Sequence, residues 1–250
     1  MNRLSVERQA AILSALVEGA SVLGTARMMG CDRETVLKLL VDVGEFCSTY
    51  QDFAHRKLET TRLEVDEIWA FCGAKARNAT HDGHGDLWTF TGIDAEYKLA
   101  VSWLVGARTV ENAVDFMQDV AARLVNRVQL TSDGHGFYLT AVRAAFGFAR
   151  VDYAQLVKKY GQQEQGVDAA RRYSPPVCIG CEKERMIGRP DTGLHASFQC
   201  ETPWSTRPPA TARSRWRTFA SLILVRLYGS TSRRGTATAK ILALSRRTWR

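Results

Sequence analysis

The chain has 250 residues, 45% of them hydrophobic and 24% charged, with a formal net charge of +8. That is ordinary globular composition, long enough for one small module beside a larger domain with a real core. No stretch nears the roughly 20 apolar residues of a membrane span, Arg3 and Arg8 flank too little apolar sequence for a secretory leader, and the six cysteines lack framework spacing. A cytoplasmic, membrane-free protein with reduced thiols is expected.

The positive charge is local. After Glu201 there is no acidic residue, and that tail holds 11 of the 34 basic residues, among them Arg207, Arg217, Arg234 and Arg250; the other 23 face 26 acidic residues, a net charge of −3. Such a tail suits phosphate contacts. Its Arg/Ser/Thr/Ala/Pro composition equally resembles a sequence read in another frame.

In chain order, Ser5 caps a helix predicted from residue 6 to about 17, with Ile12, Leu13, Leu16 and Val17 as its apolar stripe. Ser21 opens a second helix over 22–29, ended by Gly30. Asp32 caps a third, from residue 33 to about 41, buried through Val36, Leu37 and Leu40. Two short helices across a tight glycine-containing turn fit a helix-turn-helix domain in residues 1–49, whose second helix would offer Arg33, Thr35 and Lys38 to a major groove. A small helical domain that touches no DNA is the bland alternative.

Residues 50–61 read as a polar, charged connector. Strands rich in β-branched and aromatic residues follow at 63–71, 87–94 and 99–105. Thr109 caps a helix through 124, a short strand spans 128–130, a helix 137–146 and a further strand 151–157. The order is mixed α/β, that of a ribonuclease-H-like core over residues 62–193, with a divergent basic tail over 194–250.

Two carboxylates stand out in that order. Asp66 lies within Leu63-Glu64-Val65-Asp66-Glu67-Ile68-Trp69, where an ionisable group in a buried strand is costly unless compensated. Asp133 ends a short strand, where α/β sheets place ligands. The first and fourth strands of such a core are neighbours, so the two aspartates are expected to converge. Their oxygens suit Mg²⁺, with Mn²⁺ as a substitute, and metal ions there support in-line phosphodiester displacement without a covalent enzyme nucleophile. The competing reading leaves Asp66 facing solvent and Asp133 as a turn residue or helix cap.

Several runs carry a more specific signal: Asp66-Glu67-Ile68-Trp69, Asp86-Leu87-Trp88-Thr89-Phe90-Thr91-Gly92-Ile93-Asp94, Trp103-Leu104-Val105-Gly106, Asn126-Arg127-Val128-Gln129-Leu130-Thr131-Ser132-Asp133-Gly134-His135 and Val151-Asp152-Tyr153-Ala154-Gln155-Leu156-Val157-Lys158. Together with the opening helices they resemble the transposase family of bacterial insertion sequence one, over about residues 1–191. The resemblance implies a DDE-type enzyme that cleaves and joins double-stranded DNA at transposon terminal inverted repeats and target sites, using Mg²⁺. It further implies a homo-oligomer on DNA, associated with the nucleoid. It maps the first two catalytic, metal-binding acids onto Asp66 and Asp133, and a motif histidine onto His135, which either contacts substrate or water or caps the following helix.

The third acid of that family falls, by counting onward from Asp191, on Glu201. The surrounding Phe198-Gln199-Cys200-Glu201-Thr202-Pro203-Trp204 departs from the family pattern, and Pro203, Pro208 and Pro209 obstruct the helix that would present the carboxylate. The tail beyond also lacks the family's ending, as a frameshift near residue 194 would produce, so impaired catalysis is expected. Cys178 and Cys181, with His195 and Cys200, have a spacing permissive for structural zinc, but free thiols in a loop are the stronger expectation. His81, His84, Asp82 and Asp86 read as turn residues. The rivals to a transposase are a catalytically silent DNA-binding protein or repressor derived from one, and a nuclease of the same fold that does not join.

Overall fold

The computed structural model describes residues 4–81, 83–160 and 178–192. They divide into two compact units, one of residues 4–55 with 69–87 and the other of 56–68 with 88–192. Glu201, His195, Cys200, Asp82 and the tail over 194–250 lie outside the described residues.

The first unit holds three helices, α1 (Val6–Val17), α2 (Val22–Met29) and α3 (Arg33–Ala54). The expected serine caps form: Ser5 Oγ accepts from Arg8 N at 3.3 Å and Ser21 Oγ from Gly24 N at 3.0 Å, each satisfying an otherwise orphaned amide of the first turn. Gly30 closes α2 at φ 57°, a left-handed conformation that glycine adopts without a Cβ clash. Asp32 takes the N-cap position of α3, but its side chain makes no capping bond. Ile12, Leu16, Ala26, Val36, Leu39 and Leu40 form the core of the three helices. Leu39 is buried and Leu37 only partly so, the reverse of the expected phase for that pair.

Helix α3 also runs past its expected end near residue 41, into the segment read as a connector. The apolar stripe stops there, but backbone hydrogen bonding does not require a buried face, and no proline interrupts residues 42–54.

The rest of the fold is mixed α/β. Strands β1 (Arg62–Cys72), β2 (Gly85–Asp94), β3 (Ala100–Gly106), β4 (Val128–Asp133), β5 (Val151–Tyr160) and β6 (Cys178–Ile187) form one sheet in the order β3-β2-β1-β4-β5-β6, with α4 (Val110–Arg123) after β3 and α5 (Phe137–Phe146) after β4. β4 lies parallel to β1 and β5, while the β2–β3 and β5–β6 pairs are antiparallel. The expected adjacency of the first and fourth strands is present. Leu63 and Val65 of β1, Phe90, Leu130 and Tyr153 share a core with Phe116, Met117 and Val120 of α4 and Tyr138 and Val142 of α5.

Two polar clamps hold this layer. Asp119 on α4, itself buried, accepts from Ser102 Oγ and Arg123 Nε, both at 2.5 Å. Arg127 grips Asp152 with two bonds of 2.6 Å, and Asp152 also accepts from Arg189 N at 2.7 Å, tying β4, β5 and the turn after β6 together.

Strand β6 is an addition to the expected order. Cys178 and Cys181 lie on it rather than in a loop, and Cys181 is disulfide-bonded, which removes the thiolate that a zinc ion would need. Among the described residues, no helix is long and apolar enough to cross a membrane.

Candidate metal centre

The alternation of β1 sets the centre. Leu63, Val65 and Glu67 occupy the buried phase of the strand, and Glu64, Asp66 and Ile68 the half-buried one. The parallel register between β1 and β4 runs from Arg62–Gln129 to Val65–Ser132 and ends there. Asp66, midway along β1, and Asp133, the last residue of β4, come next, at the mouth where the pairing of the two strands ends. The chain reaches β2 on one side of β1 and β4 on the other, so this mouth is where sheets of this kind leave a crevice for ligands.

Three carboxylates meet in it. One oxygen from each of Asp66, Glu67 and Asp133 lies within 4.8 Å of the others, the one group of possible metal ligands among the described residues. Asp66 Oδ1 accepts from Glu67 N at 2.8 Å, and Asp133 Oδ1 accepts from His135 N at 3.2 Å, which turns each side chain back along its own backbone. The aspartates that the sequence singled out are therefore brought together. Glu67, which it passed over, joins them and is the most buried of the three at 8% exposed. It was Glu67, not Asp66, that bore the full cost of a charge in the buried phase of the strand.

Arg108, in the turn between β3 and α4, partly meets that cost. Its Nη2 lies 3.0 Å from Glu67 Oε2 and 3.8 Å from Asp133 Oδ2, and its guanidinium sits 4.5 Å from the centre of the Trp88 ring, where the ring face favours a cation. Burial and the neighbouring Asp133 charge nonetheless hold the Glu67 carboxyl above the usual glutamate range, against the opposing pull of Arg108 and the Tyr138 hydroxyl. Burial, followed by the Glu67 charge, likewise pushes the Tyr138 phenol well up, so it stays protonated as a donor.

The donor set fits a hard divalent cation: carboxylate oxygens of one sign, with polar atoms left unanswered around them. Glu67 Oε1, Tyr138 Oη, Arg108 Nε and His135 Nδ1 are all buried without a hydrogen bond of normal geometry. His135 packs its ring on Phe137, with centroids 3.9 Å apart, and Gly136 rather than His135 holds the N-cap position of α5. Elsewhere, His81 and His84 lie outside helix and strand and meet edge to face at 5.4 Å, whereas Asp86 lies on β2 rather than in the turn, its Oδ1 accepting from Ala76 N at 3.0 Å. On α3, Arg33 and Lys38 are exposed and Thr35 is half-buried, with Arg33 paired to Glu34 at 3.5 Å.

A signal for Glu67 was present in the sequence, since period-two alternation from Leu63 and Val65 puts a carboxylate third on the core face. Arg108 had none, lying in a turn outside any periodic segment. Comparison with protein-family models and with curated proteins finds no match to this chain.

Proposed function

We propose that this chain is a DDE-type transposase that cleaves and joins double-stranded DNA at the ends of an insertion sequence, with a ribonuclease-H-like core and Asp66 and Asp133 as its first two metal-binding acids. The observation that carries the reading is that these two residues, far apart in sequence, meet just past the pairing of two neighbouring parallel strands with ligand oxygens within 4.8 Å. A bound Mg²⁺ would supply charge neutralisation and activation of water or a 3′-hydroxyl for in-line attack on a phosphodiester. The chain's own part is to hold the carboxylates at a fixed spacing on rigid strands, and to keep Arg108 beside them for the negative charge that phosphate brings. In this reading the third acid is Glu201, outside the described residues, and the departures around it impair catalysis. The three N-terminal helices act as the helix-turn-helix, with Arg33, Thr35 and Lys38 on transposon-end DNA, and the protein works as a homo-oligomer at the nucleoid.

A second reading is favoured by one contact: Arg108 already pairs with Glu67 and approaches Asp133, so the cluster would serve as a structural ion network in a silent DNA-binding protein. A strand-transfer assay on DNA carrying the gene's flanking ends separates the two. The transposase reading expects Mg²⁺- or Mn²⁺-dependent cleaved and joined products that vanish in Asp66→Asn while end binding persists. Unchanged product in Asp66→Asn would overturn the catalytic assignment. End binding with no product from the unaltered chain would favour the silent reading, and nicking without joining would favour a nuclease.

A further inference from the structure

The cluster contains one acid more than the transposase reading assigns to its two strands, and that acid is the one most removed from water. A carboxylate placed in the core phase of a strand is retained only where something answers its charge. Arg108 answers one oxygen of Glu67, Oε2 at 3.0 Å, and leaves Oε1 buried without a hydrogen bond of normal geometry. Beside it stands the Tyr138 hydroxyl, fully buried and likewise without a hydrogen bond of normal geometry. The Arg108 guanidinium also reaches Asp133, at 3.8 Å, so it is shared between two carboxylates. A divalent cation beside Oε1 would answer the charge that this shared guanidinium leaves.

We propose that Glu67 is itself a ligand to the divalent cation, through Oε1, completing a three-carboxylate site with Asp66 and Asp133 within the described strands, and that Arg108 is the internal cation against which the metal binds. The proposal rests on the metal reading of Asp66 and Asp133 given above. It has a consequence that reading lacks: cation affinity depends on an acid of β1 that the two-strand assignment leaves out. Arg108 has two settings in this account. Without metal it shares the carboxylates; with metal its guanidinium is released toward the approaching phosphate, its stacking on Trp88 (4.5 Å) keeping it in place.

The test is Mn²⁺ titration of the full chain, followed by calorimetry and by the loss of the free-ion resonance signal. Glu67→Gln keeps an oxygen to accept from Arg108, so folding is preserved, and thermal denaturation in chelator verifies this. The expected result is that Glu67→Gln weakens Mn²⁺ binding by about tenfold or more, since even partners one shell outside a metal are worth that much. Arg108→Gln is expected to tighten binding several-fold by removing the competing charge. Glu67→Gln binding as tightly as the unaltered chain while Asp66→Asn and Asp133→Asn bind weakly would overturn the role of Glu67 and leave the two-aspartate reading standing. Unchanged binding in all three would overturn both. Weaker binding in a folded Arg108→Gln would overturn the competition between guanidinium and metal.

Discussion

Neutralising one acid of the cluster should make the metal-free protein more stable, not less. In Asp133→Asn the side chain keeps an oxygen for the amide of His135, which it now meets at 3.2 Å, so the turn into α5 is preserved and only the charge is lost. The oxygens of Asp133, Asp66 and Glu67 lie within 4.8 Å of one another. At that range a like-charge pair costs about 0.9 kcal/mol at the dielectric of water and about 3.5 kcal/mol at an effective value of 20. Asp66 and Asp133 are half-exposed, and Arg108, 3.8 Å from Asp133, returns part of the energy. The lower end therefore applies, about 1 kcal/mol net, or a rise in Tm of roughly 2–4 °C for a chain of this size. Thermal denaturation in EDTA reads it directly. Repeating the scan in saturating Mn²⁺ should reverse the order, because the unaltered chain gains about 2.7 kcal/mol at a hundred times its Kd and the variant gains little. A lower Tm for Asp133→Asn in EDTA would refute the reasoning and make Asp133 a structural cap.

Three further predictions follow from other contacts. Asp119→Ala removes the buried carboxylate that pairs with Arg123 at 2.5 Å and should cost about 3–5 kcal/mol; urea denaturation checks it, and a loss below about 1 kcal/mol would show that the pair is dispensable. Because Glu67 holds its proton more tightly folded than unfolded, metal-free stability should be fullest below the ordinary glutamate range and fall as pH rises through the raised value. Glu67→Gln, fixed in the uncharged form, should lose that slope, and parallel Tm–pH profiles for the two proteins would contradict it. If α3 reads DNA, Lys38→Ala should weaken end binding about equally across sequences and reduce the slope of log K against log salt by about 1; an unchanged slope in a salt titration would remove Lys38 from the interface.

How much of this was legible in the sequence follows from where burial imposes a period. Strands β1 to β5 alternate or run apolar against a core, and each was recognised within a few residues. β6 was not, because Glu182-Lys183-Glu184-Arg185 are exposed and charged, and an edge strand held by backbone pairing to β5 carries no apolar period to read. The extension of α3 beyond its apolar stripe was hidden for a related reason: continued backbone bonding leaves no trace in side-chain pattern. At the site, Asp66 and Asp133 were legible because strand order alone makes them neighbours. Glu67 is legible only through the phase of β1, in which it follows Leu63 and Val65 on the buried face. Arg108 reaches the cluster from a turn, and only tertiary structure places it there.

The most direct measurement is diffraction from Mn²⁺-soaked crystals, recorded at the manganese absorption edge. The account predicts an anomalous peak about 2.1 Å from carboxylate oxygens of Asp66 and Asp133, with Arg108 displaced from its present position beside Asp133. A map with no peak at the cluster under saturating Mn²⁺, and Arg108 still paired as it is now, would contradict it.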